Sequence, residues 1–235
     1  MARRRFVTVA VYVNAICLVL IMLYVSIVSP TFNINFYERQ FVRNNTHAWI
    51  RIEPDDLTVV TQHLIDYMRG REDELQITTY ISGEEVDFFT ERAIDHMVDV
   101  RNLFDGGRVI FIVCIILFVV TLVVVVFNKT LSSISKAYLY TACAATGLFA
   151  IIALIAVVSF DFAFEWFHHI FFFNDLWLLN YYDRLLNIVP TEFFINISIY
   201  IGLLFVCFMA MMIVGGEVLR RYFKRTGGTT TGEGS

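Results

Sequence analysis

The sequence contains few charged residues for its length. Charged residues make up only 17% of the 235 positions, whereas hydrophobic residues make up 57% and the mean hydropathy is +0.65. An average soluble domain has about 25% charged residues. This composition excludes an ordinary soluble domain and indicates an integral membrane protein.

Several kinds of functional site are also missing. One cysteine falls in each long apolar run (Cys17, Cys114, Cys143 and Cys207), which excludes a disulfide framework, a CxxC site and a surface thiol nucleophile. The sequence has no glycine-rich phosphate loop, GxSxG turn or HExxH motif. We therefore expect no cofactor and no metal. We also expect no nucleic-acid partner, because membrane topology better explains the basic clusters near the ends.

Four apolar runs are long enough to cross a membrane: residues 6–28, 109–127, 138–160 and 193–214. Each is near the roughly 20 residues that a helix needs to cross a hydrocarbon core about 30 Å thick. The first run follows three arginines, as in a signal peptide, but it is too long for one, and we interpret it as an uncleaved anchor. The fold class is thus predicted to be membrane α-helical, with four transmembrane helices and a small mixed, mainly helical extracytoplasmic cap.

The basic residues close to the spans predict the orientation. They are Arg3, Arg4, Arg5, Lys129, Lys136, Arg220, Arg221, Lys224 and Arg225. Because such residues concentrate on the cytoplasmic side, both termini should be cytoplasmic. The predicted order is the N-terminus with helix 1 (1–29), the cap (30–107), helix 2 (108–127), a cytoplasmic loop (128–137), helix 3 (138–160), an extracytoplasmic interfacial aromatic loop (161–192), helix 4 (193–214) and a cytoplasmic tail (215–235), whose low-complexity end is residues 227–235.

The cap is too long to be a bare connection, since structureless loops above about 15 residues are uncommon. A helix is predicted over Pro54–Met68, because proline and two acidic residues stand at the beginning of this segment. A β-branched and aromatic stretch predicts a strand over 75–81, and an apolar stripe predicts an amphipathic helix over 84–104. Gly106 and Gly107 are expected to separate that helix from the second span.

The predicted cap helix carries His96 at the border of its apolar stripe. Asp99, three residues later, can lie beside His96 and orient its ring. A carboxylate near a histidine is also common on any acidic helix, so a buried structural histidine explains this pair equally well.

The second outer loop carries His168 and His169 within an aromatic stretch, residues 160–173. This stretch is too polar to cross lipid and too aromatic to stay in water, so we expect an amphipathic helix in the membrane interface. Phe164, His168, Phe171 and Asp175 should share one of its faces. An aromatic belt with two incidental histidines is the alternative interpretation. A zinc site built from Glu165, His168, His169 and His96 is a third interpretation.

At three segments the chain resembles the bacterial lipoprotein intramolecular transacylase family. The segments read DHMVDVRNLF from residue 95, FHHIFFFNDLW from 167 and YDRLLNIVPTEFF from 182. The family has a motif similar to His-Met-x-Asp-Val-Lys, and this chain has Arg101 where the lysine stands. A second family motif, Phe-His-x-x-Phe-Phe, assigns its histidine to His168 rather than to His169. Asn174, Trp177 and Asp183 strengthen the match.

The resemblance implies a reaction on a lipoprotein whose N-terminal cysteine bears an S-diacylglyceryl group. The sn-2 acyl chain moves to the α-amino group of that cysteine, which gives the lyso form. The implied catalytic residues are His96 and His168, as general base and general acid in an order left open. The implied supporting residues are Asp99 as the orienter of His96, Arg101, Asn174 and Trp177 for the oxyanion, headgroup or peptide, and Asp175 and Asp183 from the motifs.

We also expect a monomer in the bacterial cytoplasmic membrane that contacts lipid, and the orientation predicted from the basic residues places its active site on the extracytoplasmic face. Two other classes compete with this interpretation. One is a non-enzymatic lipid-binding or accessory protein, which would tolerate loss of both histidines. The other is a zinc-dependent membrane hydrolase, which would contain stoichiometric metal.

Overall fold

The computed structural model describes residues 2–128 and 130–227; the low-complexity end of the tail, beyond residue 227, lies outside them. Nine helices and two strands occur in these ranges. They are α1 (Ala2–Thr31), α2 (Ile34–Asn44), α3 (Thr46–Ile50), α4 (Pro54–Met68), β1 (Thr78–Ile81), β2 (Glu84–Asp87), α5 (Glu91–Phe127), α6 (Leu131–Val158), α7 (Phe160–Phe171), α8 (Arg184–Ile188) and α9 (Thr191–Gly227).

Four of these helices are long and apolar enough to cross a membrane. The candidate spans are Ala2–Thr31, Glu91–Phe127, Ser133–Val158 and Thr191–Arg225, with hydropathies of 2.6, 3.7, 2.4 and 2.6 in their most apolar windows. Many of their large apolar side chains are exposed, as expected of surfaces that face lipid. The prediction of four long apolar helices is confirmed.

The chain divides into two compact units. The first, called here the membrane unit, comprises the described residues of Met1–Ser26, Ile110–Leu154 and Gly202–Ser235. Its apolar core contains a buried polar side chain, Asn14, which donates to the carbonyl of Phe118 and to Oγ1 of Thr121 and accepts from the Tyr138 hydroxyl. Interhelical hydrogen bonds of this kind help to hold apolar helices in a fixed arrangement.

The second unit, called here the cap unit, comprises Ile27–Val109 and Ile155–Ile201. Helix α4 lies in its core and has the predicted bounds, Pro54–Met68. Proline suits the first turn because it has no N–H to bond, and Asp55 and Asp56 lie near the positive end of the helix dipole. Leu57 and Leu64 are almost fully buried on one face of α4.

A hairpin replaces the start of the predicted amphipathic helix. Strand β1 pairs antiparallel with β2 through a turn at Ser82 and Gly83, both of which have positive φ. Residues 84–87 are therefore a strand, and the prediction of helix there was wrong, because pairing with β1 outweighs local helix preference. The helix begins at Glu91, after Thr90 Oγ1 accepts from the backbone N–H of Ala93.

Helix α5 runs without a break from Glu91 to Phe127. The prediction that Gly106 and Gly107 separate a cap helix from the second span was therefore wrong. A glycine costs a helix about 1 kcal/mol relative to alanine but keeps its backbone N–H, so strong helix on both sides continues through it. As a result, one helix carries both His96 and the apolar run of residues 109–127.

Helix α7 is the predicted amphipathic helix of the aromatic loop. It begins at Phe160, after Ser159, whose side chain accepts from the N–H of Phe162, and it ends at Phe171. Asp175 therefore lies beyond its last turn, and the prediction that Asp175 shares a helical face with His168 was wrong. An extended and turning segment of residues 172–183 follows α7 and leads to α8.

Candidate active site

His96 lies on the part of α5 that precedes its apolar run. Its side chain is buried at 8% exposure, and its ring meets that of Phe172 edge-on with 5.3 Å between the centroids. The Nδ1 atom is buried and has no hydrogen-bond partner within the described residues. A buried polar atom without a partner is costly in a folded protein and makes His96 a candidate for a functional role.

His168 lies near the end of α7 and is 7% exposed. Its Nδ1 atom is 2.7 Å from the carbonyl oxygen of Phe164, one turn earlier. Since a carbonyl can only accept, Nδ1 carries the hydrogen, and in the neutral ring Nε2 keeps its lone pair. The aromatic rings of Phe164 and Trp177 lie 4.2 and 4.7 Å from the histidine ring.

The structure brings the two histidines together. Their ring centroids are 6.1 Å apart, although 72 residues separate them in the sequence. Both rings contact Phe172, at 5.3 Å from His96 and 5.5 Å from His168. Two buried imidazoles at this separation can both reach one small reacting group.

Burial favours the neutral form of both rings. Loss of water contact, followed by the proximity of His168, lowers the pKa of His96 to about 4, although the Asp99 carboxylate opposes this shift. Burial also lowers the pKa of His168, against the effect of its hydrogen bond to Phe164. Near neutral pH both rings are therefore uncharged and each offers one acceptor and one donor nitrogen.

Asp99 and Asn174 join the two segments that carry the histidines. The Asn174 side-chain N–H donates to Oδ2 of Asp99 at 2.8 Å, while its oxygen accepts from the backbone N–H of Leu176. Asp99 was predicted from the sequence to orient the ring of His96. The described residues contain no hydrogen bond between these two side chains, and Asp99 affects His96 through its charge.

Trp177 covers His168 and is part of a loop that Arg92 holds. The indole Nε1 of Trp177 is buried and, like Nδ1 of His96, lacks a partner within the described residues. Arg92, one turn before His96 on α5, donates to the backbone carbonyls of Asp175 and Leu178 on either side of Trp177. The side chain of Asp175 makes no hydrogen bond or ion pair within the same residues, so its backbone is the part that contributes to the geometry of this site.

Asp183 holds the end of this loop to the start of α5. It is 6% exposed and accepts from the Thr90 hydroxyl at 2.6 Å and from the N–H of Leu185 at 2.9 Å. The second of these bonds caps helix α8. Asp183 thus fixes backbone around the histidines, and neither of these contacts involves His96 or His168.

Arg101 contacts a different part of the cap unit. It donates to the carbonyls of Glu72 and Asp73, and its guanidinium lies 4.8 Å from the centroid of the Tyr67 ring. These contacts hold the segment between α4 and β1. The structure therefore does not bring Arg101 together with the histidine pair.

His169 pairs with Glu165 and not with His96. Its Nε2 lies 3.6 Å from a carboxylate oxygen of Glu165, one turn earlier on α7, and both side chains are exposed. In the part of the chain that the structure describes, no three His, Cys, Asp or Glu side chains are grouped so that they could hold a metal ion.

A family model described as lipoprotein intramolecular transacylase Lit matches residues 12–194, a range that contains every residue of the candidate site. The chain belongs to the lipoprotein intramolecular transacylase family. Its structure is similar to that of the membrane integral lipoprotein intramolecular transacylase Lit from Bacillus cereus, with a TM-score of 0.73 and 17% identity over 94% of this chain and 97% of that chain.

Two structures of that Bacillus cereus protein with one histidine replaced are also similar to this chain. The arginine variant has a TM-score of 0.73 and 16% identity over 94% of each chain. The alanine variant has a TM-score of 0.70 and 17% identity over 94% of this chain and 95% of that chain. No curated protein matches the sequence.

Two residues at the site of this transacylase, Arg92 and Thr90, were not predicted from the sequence. Arg92 looked like one of many exposed charges, because its partners are backbone carbonyls more than 80 positions away. A local signal did exist for Thr90. Threonine is a favoured N-cap residue, and the acidic Glu91 directly after it suits a first helical turn, so this pair would have started the helix at Glu91.

Proposed function

We propose that this member of the transacylase family transfers the sn-2 acyl chain of an S-diacylglyceryl lipoprotein to the α-amino group of its N-terminal cysteine, with His96 and His168 as the acid-base pair. Family membership establishes the lipoprotein intramolecular transacylase activity. The observation that supports the choice of residues is the 6.1 Å separation of two buried, uncharged imidazoles.

The proposed reaction starts from the neutral amine. The amine attacks the sn-2 ester carbon, a C–N bond forms, and the carbonyl electrons move to oxygen. His168 takes the proton that the nitrogen loses, at Nε2, because its Nδ1 already donates to Phe164. The Phe164 carbonyl then stabilises the imidazolium that forms.

Collapse of the tetrahedral intermediate breaks the bond from the acyl carbon to the sn-2 oxygen. His168 passes the proton that it accepted to His96, and His96 gives a proton to the departing oxygen. One proton has then moved from nitrogen to oxygen, and both rings are neutral again. Acid-base catalysis of this kind typically contributes about 10²- to 10⁴-fold, and holding donor and acceptor in one molecule can contribute about 7–11 kcal/mol.

Trp177 is the proposed donor to the oxyanion. Its Nε1–H is buried without a partner in the described residues, and its ring lies 4.7 Å from that of His168. A donor fixed in this way stabilises negative charge without reorganising during the reaction. Nδ1 of His96 also has no partner within the described residues, and it can be a second donor to the oxyanion when it carries the ring hydrogen.

We further propose that the site faces the outside of the bacterial cytoplasmic membrane and that both termini are cytoplasmic. The clustering of basic residues near the two termini and between the second and third spans supports this orientation. A monomer is part of this proposal. The partners are then the lipoprotein substrate and the surrounding lipid.

The experiment uses a diacylglyceryl lipopeptide with different acyl chains at sn-1 and sn-2. After incubation with the purified protein, mild alkali removes ester-linked chains, and mass spectrometry identifies any chain that remains as an amide. The proposal expects the sn-2 chain on nitrogen, with total mass unchanged before alkali. His96→Gln and His168→Gln should each lower the rate at least about 100-fold.

His63→Gln is the matched control. It also removes a cap histidine, but His63 contacts the carbonyl of Glu74 on another part of the cap. If both site variants kept wild-type rates, the assigned roles would be wrong. An inert wild type beside an active reference transacylase would favour the accessory protein, and a chelator-sensitive release of free fatty acid would favour a metal hydrolase.

A further inference from the structure

A cavity of about 1150 Å³ lies in the membrane unit. The start of α1, the loop before α6, the first part of α6 and the last part of α9 line it. Five of its lining residues are cationic: Arg3, Arg4, Lys136, Arg220 and Lys224. Its volume is slightly above the roughly 300–1,000 Å³ that is common for small-molecule sites.

The cations of this unit greatly outnumber its carboxylates. Its three segments contain nine Lys or Arg residues in the sequence and only two acidic residues, Glu217 and Glu233. Glu217 forms ion pairs with Arg220 and Arg221, at 2.8 and 2.9 Å. Arg4, Lys136 and Lys224 have no carboxylate partner within the described residues, so the lining keeps a net positive charge.

Membrane topology alone does not explain this arrangement. A cytoplasmic location accounts for basic residues near the spans, but it does not require cations from three helices to line one concave site. The walls also include hydroxyl groups, among them those of Thr8, Thr130 and Ser133. Arg3 is held in place by two hydrogen bonds to the side-chain oxygen of Asn128, at 3.1 and 2.9 Å.

We propose that this cavity binds a phosphate-bearing anion, supplied as the headgroup of an anionic phospholipid from the leaflet that the two termini face. Guanidinium and ammonium groups give strong charge-assisted hydrogen bonds to phosphate oxygens, and hydroxyls add neutral ones. Basic pockets between membrane helices suit such headgroups. The site is independent of the histidine pair and of the acyl-transfer mechanism. A free phosphate compound shares the chemistry, so the experiment separates the two sources.

The test is native mass spectrometry of the detergent-purified protein, titrated with phosphatidylglycerol or phosphatidylcholine. The expected result is preferential retention of phosphatidylglycerol, which inorganic phosphate at millimolar concentration displaces only weakly. Equal retention of both lipids would overturn the proposal. Binding of inorganic phosphate without any preference between the lipids would overturn the lipid source.

Two double variants with the same charge change locate the site. Arg4→Gln with Lys136→Gln removes two cavity cations and should weaken phosphatidylglycerol binding about 30-fold. Arg5→Gln with Arg225→Gln removes two cations that do not line the cavity and should change it less than about threefold. Equal losses in the two variants would mean general surface attraction and would overturn the proposal. Far-UV circular dichroism of both variants checks that they fold.

Discussion

The side-chain amide of Asn174 donates to the carboxylate of Asp99 across 2.8 Å, and this bond joins the segment after α7 to helix α5. Asp99 is three residues from His96, and Asn174 is six residues from His168. The bond therefore links the two chain segments whose relative position sets the distance between the rings. Its loss is expected to act on the reaction through geometry.

Variants at Asp99 distinguish a geometric role from a charge effect on His96. Asp99→Asn can still accept from Asn174, so it should keep most of the activity. Asp99→Ala and Asn174→Ala should each lower kcat about tenfold, as expected for one lost hydrogen bond, and the double variant should be no worse than either single one. If Asp99→Asn were as slow as Asp99→Ala, the effect of the Asp99 charge on His96 would be the important property.

Trp177→Phe tests the proposed oxyanion donor. The phenyl ring keeps the packing on His168 but lacks Nε1–H, so kcat should fall about 10²- to 10³-fold while KM changes little. Trp166→Phe is the control, because Trp166 is an exposed tryptophan on the same helix as His168 and packs against Phe162. Trp177→Phe activity within threefold of wild type would refute the role of the indole N–H.

The pH profile of kcat/KM follows from the lowered pKa values. The attacking amine titrates near about 7.7–8.0 and an ordinary histidine near about 6.5. Because burial lowers the pKa of His96 to about 4 and also lowers the pKa of His168, protonation of either ring should begin only below pH 6.5, and the amine alone loses reactivity between about 7.7 and 6.5. The rate should fall tenfold per pH unit below about 7.7, without a second break near 6.5. If the slope of log kcat/KM against pH doubled below pH 6.5, a site histidine would have an ordinary pKa and the prediction would be wrong.

Two arginine variants compare the importance for activity of the loop that covers the site with that of another part of the cap unit. Arg92→Lys should lower kcat/KM about tenfold, because an ammonium cannot reproduce two directed bonds to the carbonyls of Asp175 and Leu178. Arg101→Lys is the matched change on the same helix, with partners between α4 and β1. It should keep activity within about twofold. A larger loss in Arg101→Lys than in Arg92→Lys would contradict this assignment.

Asp183 is expected to act on stability. Asp183→Ala removes the cap of α8 and the acceptor of the Thr90 hydroxyl. The loss should be about 1–2 kcal/mol for the cap, seen as a lower unfolding temperature in detergent. Asp183→Asn keeps an acceptor and should lose less. Activity per folded molecule should stay within about threefold, and an unchanged unfolding temperature with abolished activity would instead assign Asp183 to the chemistry.

Much of the fold could be predicted from the sequence because the relevant forces act locally. Apolar runs of about 20 residues predict spans from length and hydropathy alone. Helix α4 was predicted to the residue, since its proline, acidic first turn and apolar stripe all lie within Pro54–Met68. The family motifs around His96 and His168 are also short, so the candidate pair could be chosen before any distance was known.

Long-range contacts decided what local patterns could not. Pairing with β1 made residues 84–87 a strand, and tertiary contacts gave Asp99 a partner in Asn174, 75 positions away. Arg92 bonds to carbonyls that no side-chain pattern reveals. The sequence by itself determined the four spans and the two histidines, because hydropathy, helix signals and motifs are properties of neighbouring residues. Only the tertiary structure decided their 6.1 Å separation and their burial, because both depend on how distant segments pack.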